Sequence, residues 1–191
     1  MSGKKNNAGF SLIELVVTLA IMGVVVLFSV NIYGNISSAD VESAAENLDS
    51  MLSILRTRSI TKVNGFMLKI EKNSDGEFEI CIYENKKQPD AAGNLVDNWV
   101  KTDKFNIGDK VSVTCVPKNG ATDYDLSTTT EFKVICSKSN GKYESSVCID
   151  DSGAVISGVN DTDLITQVVF KKGSHTERVK LVIPTGRHYV E

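Results

Sequence analysis

The chain has 191 residues, of which 41% are hydrophobic and 24% are charged, and its formal net charge is −3. These values are ordinary for a soluble domain of one core with an appended segment. Repeat and low-complexity chains are excluded, because Pro and Gly are not in excess and no internal repeat is found.

One segment near the N-terminus concentrates the hydrophobicity. Residues 10–30 carry a single charge, Glu14. As a helix this segment is about 31 Å long, enough for one crossing of a bilayer. Lys4 and Lys5 precede it without an acid, so the tail is expected to stay cytoplasmic. We predict a single-pass protein of the cytoplasmic (inner) membrane with an extracytoplasmic C-terminal domain.

Two general classes of segment compete for this stretch. A secretory signal peptide has a short apolar core and a small-residue cleavage site, but Asn31-Ile32-Tyr33-Gly34 contains no such site. A plain signal anchor fits the composition. It leaves Glu14 unexplained, because a carboxylate in lipid costs about 2.5–3.5 kcal/mol.

The start of the segment carries a more specific pattern. Residues 4–15 read KKNNAGFSLIEL, which resembles the class III signal of type IV prepilins and type II secretion pseudopilins. The resemblance implies that a prepilin peptidase removes the leader, residues 1–9, by cutting between Gly9 and Phe10. It also implies a methylated amine on Phe10 and a retained glutamate at Glu14.

The same resemblance gives Glu14 a role in assembly. In the family, this carboxylate pairs with the terminal amine of a neighbouring subunit, here Phe10. Opposite charges attract strongly in a low-dielectric medium, and a misplaced subunit leaves both unpaired. Glu14 is therefore expected to fix the register of a filament. The alternative is a carboxylate that reaches back to the cytoplasmic headgroups.

Residues 31–62 are predicted to continue the helix in amphipathic form. Val41, Ala44, Ala45, Leu48, Met51 or Leu52, and Leu55 have helical spacing, with Asp40, Glu42, Glu46 and Asp49 on the other face. The apolar stripe needs a partner, most simply the sheet that follows. Many pilins have a proline where this chain has Asn31, so a proline kink is not expected here.

From residue 63 to residue 191 the pattern has a period of two. Strands are predicted at 66–70, 77–83, 110–116, 131–136, 165–170 and 177–183, with turns at Asn64-Gly65, Asp75-Gly76, Asn119-Gly120, Asn140-Gly141 and Gly173-Ser174. The order of elements predicts an α+β fold, in which a long N-terminal helix packs on an antiparallel sheet. The pilin resemblance implies the same architecture.

Four cysteines lie in this predicted exported domain: Cys81, Cys115, Cys136 and Cys148. An even number in an exported domain favours disulfides, and the absence of a CxxC pair argues against zinc. Three connectivities are open. The Asn140-Gly141 turn favours Cys136–Cys148, because a hairpin there would bring its two flanking strands together.

The C-terminal residues resemble the GspH/FimT group of minor pilins. Asp151-Ser-Gly-Ala-Val, Gln167-Val-Val-Phe and the closing Gly186-Arg-His-Tyr-Val carry that resemblance. Residues 85–130 match no pattern that we can name. The four cysteines and this long middle are not typical of the compact members.

Charge is unevenly distributed along the chain. Residues 165–191 contain five bases and two acids, a net charge of +3, whereas residues 10–164 carry a net charge of −8. The five bases are Lys171, Lys172, Arg178, Lys180 and Arg187. Some FimT-like minor pilins bind DNA near this terminus, so DNA phosphates are one candidate partner. A solvated strand face or a contact with an acidic subunit is the alternative.

No catalytic constellation is found in the sequence. The only histidines, His175 and His188, form no triad pattern, and no Walker A, HExxH or EF-hand spacing occurs. Asp150-Asp151 and Asp161/Asp163 flank glycines and can be considered for Ca²⁺, but solvated loop acids are favoured. We expect no enzyme, no cofactor and no bound metal.

Three functional hypotheses follow from these features. The first is a minor pilin or pseudopilin that assembles with other subunits through its N-terminal helix and reaches the cell surface in a filament. The second is a DNA-binding minor pilin of a DNA-uptake pilus. The third is a membrane-anchored exported domain unrelated to pili.

Overall fold

A computed structural model describes residues 11–108, 110–118, 120, 122–127, 131–150, 152–157 and 164–191, without the side chains of residues 28–36 and 157. The chain divides into two compact units, residues 1–36 and residues 37–191. The helix α1 (Leu12–Thr61) contributes to both units. It is assigned as helix through Asn31 and Gly34.

In the first unit, α1 presents apolar side chains to its surroundings. Twelve large hydrophobic residues between Leu12 and Leu27 have exposed fractions between 49% and 82%. Among the described residues, no helix has a stretch both long and apolar enough to span a membrane.

In the second unit, the predicted apolar stripe of α1 is buried. Val41, Ala44, Ala45, Leu48, Leu52 and Leu55 are fully buried and Met51 is nearly so. They share one hydrophobic core with residues from the two large sheets described below. The prediction that this stripe packs on β-structure is confirmed.

Thirteen strands are assigned in the described residues. They are β1 (Phe66–Lys72), β2 (Phe78–Asn85), β3 (Gln88–Pro89), β4 (Leu95–Val96), β5 (Trp99–Asn106), β6 (Ser112–Pro117), β7 (Tyr124–Asp125), β8 (Glu131–Cys136), β9 (Tyr143–Ile149), β10 (Val155–Ser157), β11 (Ile165–Lys172), β12 (His175–Val182) and β13 (Arg187–Val190). All assigned pairs are antiparallel. The predicted α+β class is therefore observed.

The strands form two large sheets, where the sequence predicted one. The first sheet has the order β10-β9-β8-β1-β2-β5, the second has the order β13-β12-β11-β6-β7, and β3 pairs with β4 alone. The six predicted strands correspond to β1, β2, β6, β8, β11 and β12. The predicted turns at Gly76, Gly141 and Gly173 lie between paired strands, and each glycine has a positive φ.

Two turns meet through glycine backbones. A Cβ built on Gly186, which has φ +64°, would lie 1.9 Å from the carbonyl oxygen of Gly141. The turn between β12 and β13 therefore packs directly on the turn between β8 and β9. This contact explains why the closing Gly186-Arg187 pair begins with glycine, since any other residue would separate the two turns.

Candidate functional site

The predicted cleavage and modification residues, Gly9 and Phe10, lie outside the described residues. The structure begins at Ser11, directly after them, and α1 begins at Leu12. Glu14 lies in the first turn of α1 and is exposed. The predicted assembly residue thus lies at the start of α1.

Glu14 closes the first turn of α1. The Ser11 N–H donates to Glu14 Oε2 at 3.0 Å, and the Leu15 N–H donates to the Ser11 carbonyl at 3.2 Å. Glutamate three residues after a serine N-cap is the capping-box arrangement, which satisfies an N–H group at the helix end. The negative charge also lies at the positive end of the helix dipole.

The capping role of Glu14 was not predicted from the sequence. The Ser-x-x-Glu spacing from Ser11 to Glu14 was a readable signal for it. The cap uses one hydrogen-bond acceptor site of the Glu14 carboxylate, which has about four such sites in total. The remaining positions can accept a cationic amine, so capping and charge pairing are compatible at Glu14.

The basic residues near the C-terminus do not all share one face. In β12, Val179 and Leu181 are buried, so Arg178 and Lys180 face outward, as predicted. Residues paired across strands share a face. Lys171 is opposite Thr176 and Arg187 is opposite Val182, which places Lys171 and Arg187 on the outward side of the second sheet.

Lys172 is the exception among these five bases. It follows Lys171 directly in β11 and therefore points to the opposite face of the sheet. Its ammonium group pairs with Asp40 of α1 at 2.5 Å. The prediction that groups Lys172 with the other bases is wrong for this reason. The Lys172–Asp40 salt bridge instead links α1 to the second sheet.

One outward base is already partnered. Lys180 Nζ pairs with Glu191 at 2.6 Å and lies 5.8 Å from the ring centre of Tyr189. Lys171, Arg178 and Arg187 make no salt bridge within the part of the chain that the structure describes. These three cations and Lys180 define the outward basic face.

The four cysteines are buried. In the hairpin of β8 and β9, Cys148 is opposite Phe132 and Cys136 is opposite Tyr143. These two cross-strand pairs lie four residues apart along β8, a distance of about 13 Å. The Cα atoms of a disulfide lie within about 7 Å of each other. The favoured Cys136–Cys148 pairing is therefore wrong. That the domain contains disulfides stays a prediction.

One group of side chains has the composition of a metal site. The potential ligand atoms of Glu71, Glu79 and Cys81 lie within 4.8 Å of one another. Lys101, however, forms salt bridges with both carboxylates, at 2.9 Å to Glu71. The bond from Lys101 lowers the pKa of Glu79, and burial raises the pKa of Cys81 to about 12. The Lys101 ammonium therefore neutralises the acids that a cation would need.

The loop acids considered for Ca²⁺ are only partly described, because Asp151, Asp161 and Asp163 lie outside the described residues. Asp150 Oδ1 accepts bonds from the Ser152 N–H, the Ser152 hydroxyl and the Ala154 N–H. These bonds to the charged form lower the pKa of Asp150. The carboxylate thus stabilises its own turn, as solvated loop acids commonly do.

His188 connects three elements, which sequence reasoning did not find. Its Nδ1 lies 2.7 Å from the Tyr143 hydroxyl and its Nε2 lies 3.0 Å from Ser53 Oγ. Asp49 lies 3.7 Å from the same Nε2, whereas a catalytic acid would sit at the nitrogen opposite the serine. Burial lowers the pKa of His188. The arrangement joins β13 to α1 and to β9.

Comparison with known proteins gives one match. The prokaryotic N-terminal methylation motif matches residues 4–30. This match covers residues 4–9 of the predicted leader, the predicted cleavage point, Glu14 and the apolar segment, and it supports a type IV pilin-like protein with a class III signal. No curated protein and no solved structure matches the chain.

Proposed function

We propose that the chain is a minor pilin or pseudopilin of the GspH/FimT type, a structural subunit of a type IV pilus or of a type II secretion-like filament. The observation that carries the proposal is the methylation motif at residues 4–30. The helix start supports it, because α1 begins at Leu12, two residues after the proposed new N-terminus at Phe10. The role is structural rather than catalytic.

Processing and location follow from this assignment. A prepilin peptidase would cut between Gly9 and Phe10 on the cytoplasmic side, and the amine of Phe10 would be methylated. Before assembly, residues 10–30 would lie in the cytoplasmic membrane, with residues 63–191 outside it. The exposed apolar side chains of residues 12–27 would then contact lipid, and after assembly they would contact the helices of other subunits.

The assembly step uses the geometry at Glu14. Its carboxylate holds the Ser11 N–H at 3.0 Å, one residue after Phe10. The Phe10 amine of a neighbouring subunit would bind the oxygen positions that the cap leaves available. Removal of either charge would leave its partner unpaired in a low-dielectric medium, which is costly.

Mass spectrometry of the chain isolated from membranes tests the proposal. The expected N-terminus is Phe10 with an added methyl group of about 14 Da. An uncut Met1, or a cut after residue 30, would overturn it in favour of an unrelated anchored domain. A Gly9→Ala control has a single methyl group added at the residue before the cut. Because cleavage in this family follows glycine, we expect that variant to keep its leader.

DNA contact is a second candidate, favoured by one observation. Lys171, Arg178, Lys180 and Arg187 share the outward face of the second sheet, although the chain as a whole is acidic. Such a face can meet a phosphate backbone without reading its sequence. Binding of a short duplex by the full chain in detergent, measured at several salt concentrations, tests this candidate.

A further inference from the structure

We propose that Cys115 and Cys148 form a disulfide that joins the two large sheets, and that Cys81 and Cys136 remain thiols. The pairing rests on the fold alone. Only the oxidising compartment rests on the proposed export of the chain.

The two side chains meet inside the core. Cys115 lies in β6 of the second sheet and Cys148 lies in β9 of the first sheet, and both are fully buried. Burial raises the pKa of the Cys115 thiol and so does the Cys148 side chain, which places the two side chains close together. Each residue belongs to the core shared by the two sheets.

A hydrogen bond joins the two sheets near these two residues. Ser146, two residues before Cys148 and on the same face of β9, donates its hydroxyl to the Ile165 carbonyl of β11 at 2.8 Å. Further along β11, Val168 is opposite Cys115 of β6. The Ser146 side chain therefore joins β9 to the β11 backbone near the cysteine pair, which limits the distance between the sheets there.

The other two cysteines are placed away from this pair. Cys81 alternates with the core residues Ile80 and Ile82 of β2, so it lies on the outer face of the first sheet, beside Lys101. Cys136 lies at the end of β8 that is opposite Tyr143, about 13 Å along the hairpin from Cys148. Within the described fold, neither can reach Cys115 or Cys148 without a change of register.

The covalent step is a thiol–disulfide exchange. A disulfide-bonded oxidoreductase or oxidised glutathione accepts attack by one thiolate and forms a mixed disulfide. The thiolate of the second cysteine then attacks the sulfur of the first cysteine in this mixed disulfide. The Cys115–Cys148 bond forms, and the oxidant leaves as two thiols. The chain loses two hydrogen atoms. Because both residues are fully buried once folded, the exchange takes place before the two sheets close.

The full chain is refolded in detergent with a mixture of reduced and oxidised glutathione, then denatured with an alkylating maleimide and digested. Two alkylated cysteines are expected, Cys81 and Cys136, with the Cys115 and Cys148 peptides linked, and four alkylations after reduction. Four alkylations without reduction, or a link that includes Cys81 or Cys136, would overturn the pairing. Refolding in vitro does not depend on export.

Single variants and material from cells complete the test. Cys81→Ser should keep the linked peptides, whereas Cys115→Ser should abolish them. Because Cys115→Ser can impair folding, the peptide map of the unmodified chain is the measurement that decides which cysteines are linked. The same peptide map of chain isolated from cells reports the N-terminus as well. A linked pair on a chain with an uncut leader would contradict the proposed processing and support the disulfide.

Discussion

The Ser11 N–H donates to the Glu14 carboxylate at 3.0 Å and so begins α1. Glu14 therefore has a local function even in an isolated chain. A test of its proposed role in assembly has to separate the effect of the cap from that of the charge. Glutamine is suited to this, because it can cap a helix at the same position but carries no charge.

We expect Glu14→Gln to reduce incorporation into filaments on the order of 100-fold, from the cost of an unpaired group in lipid. Glu14→Ala should reduce it equally, since both variants remove the charge. The measurement is the ratio of this subunit in sheared filaments to that in membranes, with the N-terminus checked by mass spectrometry.

Glu46→Gln is the matched control for that experiment. Glu46 is an exposed carboxylate of the same helix, beyond the apolar segment, and its replacement should leave incorporation unchanged. If Glu14→Gln assembles normally and Glu14→Ala does not, the cap rather than the charge is required. That result would remove the charge-pairing argument.

Gly186→Ala should strongly destabilise the domain. Its Cβ would lie 1.9 Å from the Gly141 carbonyl oxygen, and its φ is +64°, so backbone movement is needed in addition to strain. We expect a loss of about 3 kcal/mol or more in the free energy of unfolding. The measurement is denaturant unfolding of the purified chain in detergent.

Gly173→Ala separates the strain of a positive φ from the steric contact with the neighbouring turn. Gly173 has a similar φ of +62° but no atom within 4 Å of a built Cβ. Its substitution should cost only about 1–2 kcal/mol from the left-handed conformation. Equal losses for the two variants would contradict the close contact between the two turns.

The parts of the fold that were predicted from the sequence are those in which buried residues recur with the regular spacing of a helix or a strand. The helix stripe from Val41 to Leu55 and strands such as β8, with a buried residue at every second position, are examples. The strand β5 was missed because it is mostly exposed, and β9 because the buried Ser146 interrupts its apolar pattern. Ser146 is accommodated by its bond to Ile165, a partner that no local pattern indicates.

The same distinction applies to the candidate sites. Glu14 was found from a motif, and its cap was readable from the spacing to Ser11. The opposite orientation of Lys171 and Lys172 also follows from strand periodicity, although it was not used. In contrast, the contact of Cys115 with Cys148 depends on how two sheets pack. A single sequence leaves that packing undetermined.

If the outward basic face binds DNA, its substitutions should change the salt dependence of binding. Arg178→Ala and Arg187→Ala should each reduce the slope of log K against log salt by about 1. Lys172→Ala removes the same charge from the opposite face, where Lys172 pairs with Asp40, and should leave the slope unchanged. Equal effects of all three variants would indicate attraction by net charge rather than by this face.

His188 should make the stability of the domain decrease as the pH falls through 6.5. Burial lowers its pKa below 6.5 in the folded chain, although Asp49 opposes the shift and Arg56 reinforces it. The unfolded chain therefore binds more protons as the pH falls through 6.5, and stability decreases until the folded pKa is reached. The carboxylates with a lowered pKa, such as Glu79 and Asp103, lose their contribution to stability only at lower pH.

His188→Gln tests this dependence, because glutamine can still bond to the Tyr143 hydroxyl or to Ser53 but does not titrate. The melting temperature of the unmodified chain should fall as the pH is lowered from 7 to 5, and that of the variant should change much less. Because protonation would place a second cation beside Arg56, the loss should start where β13 contacts α1. Hydrogen exchange at β13 should then increase at pH 5 before exchange in β1 and β8. A parallel fall of both melting curves would assign the pH dependence to other groups.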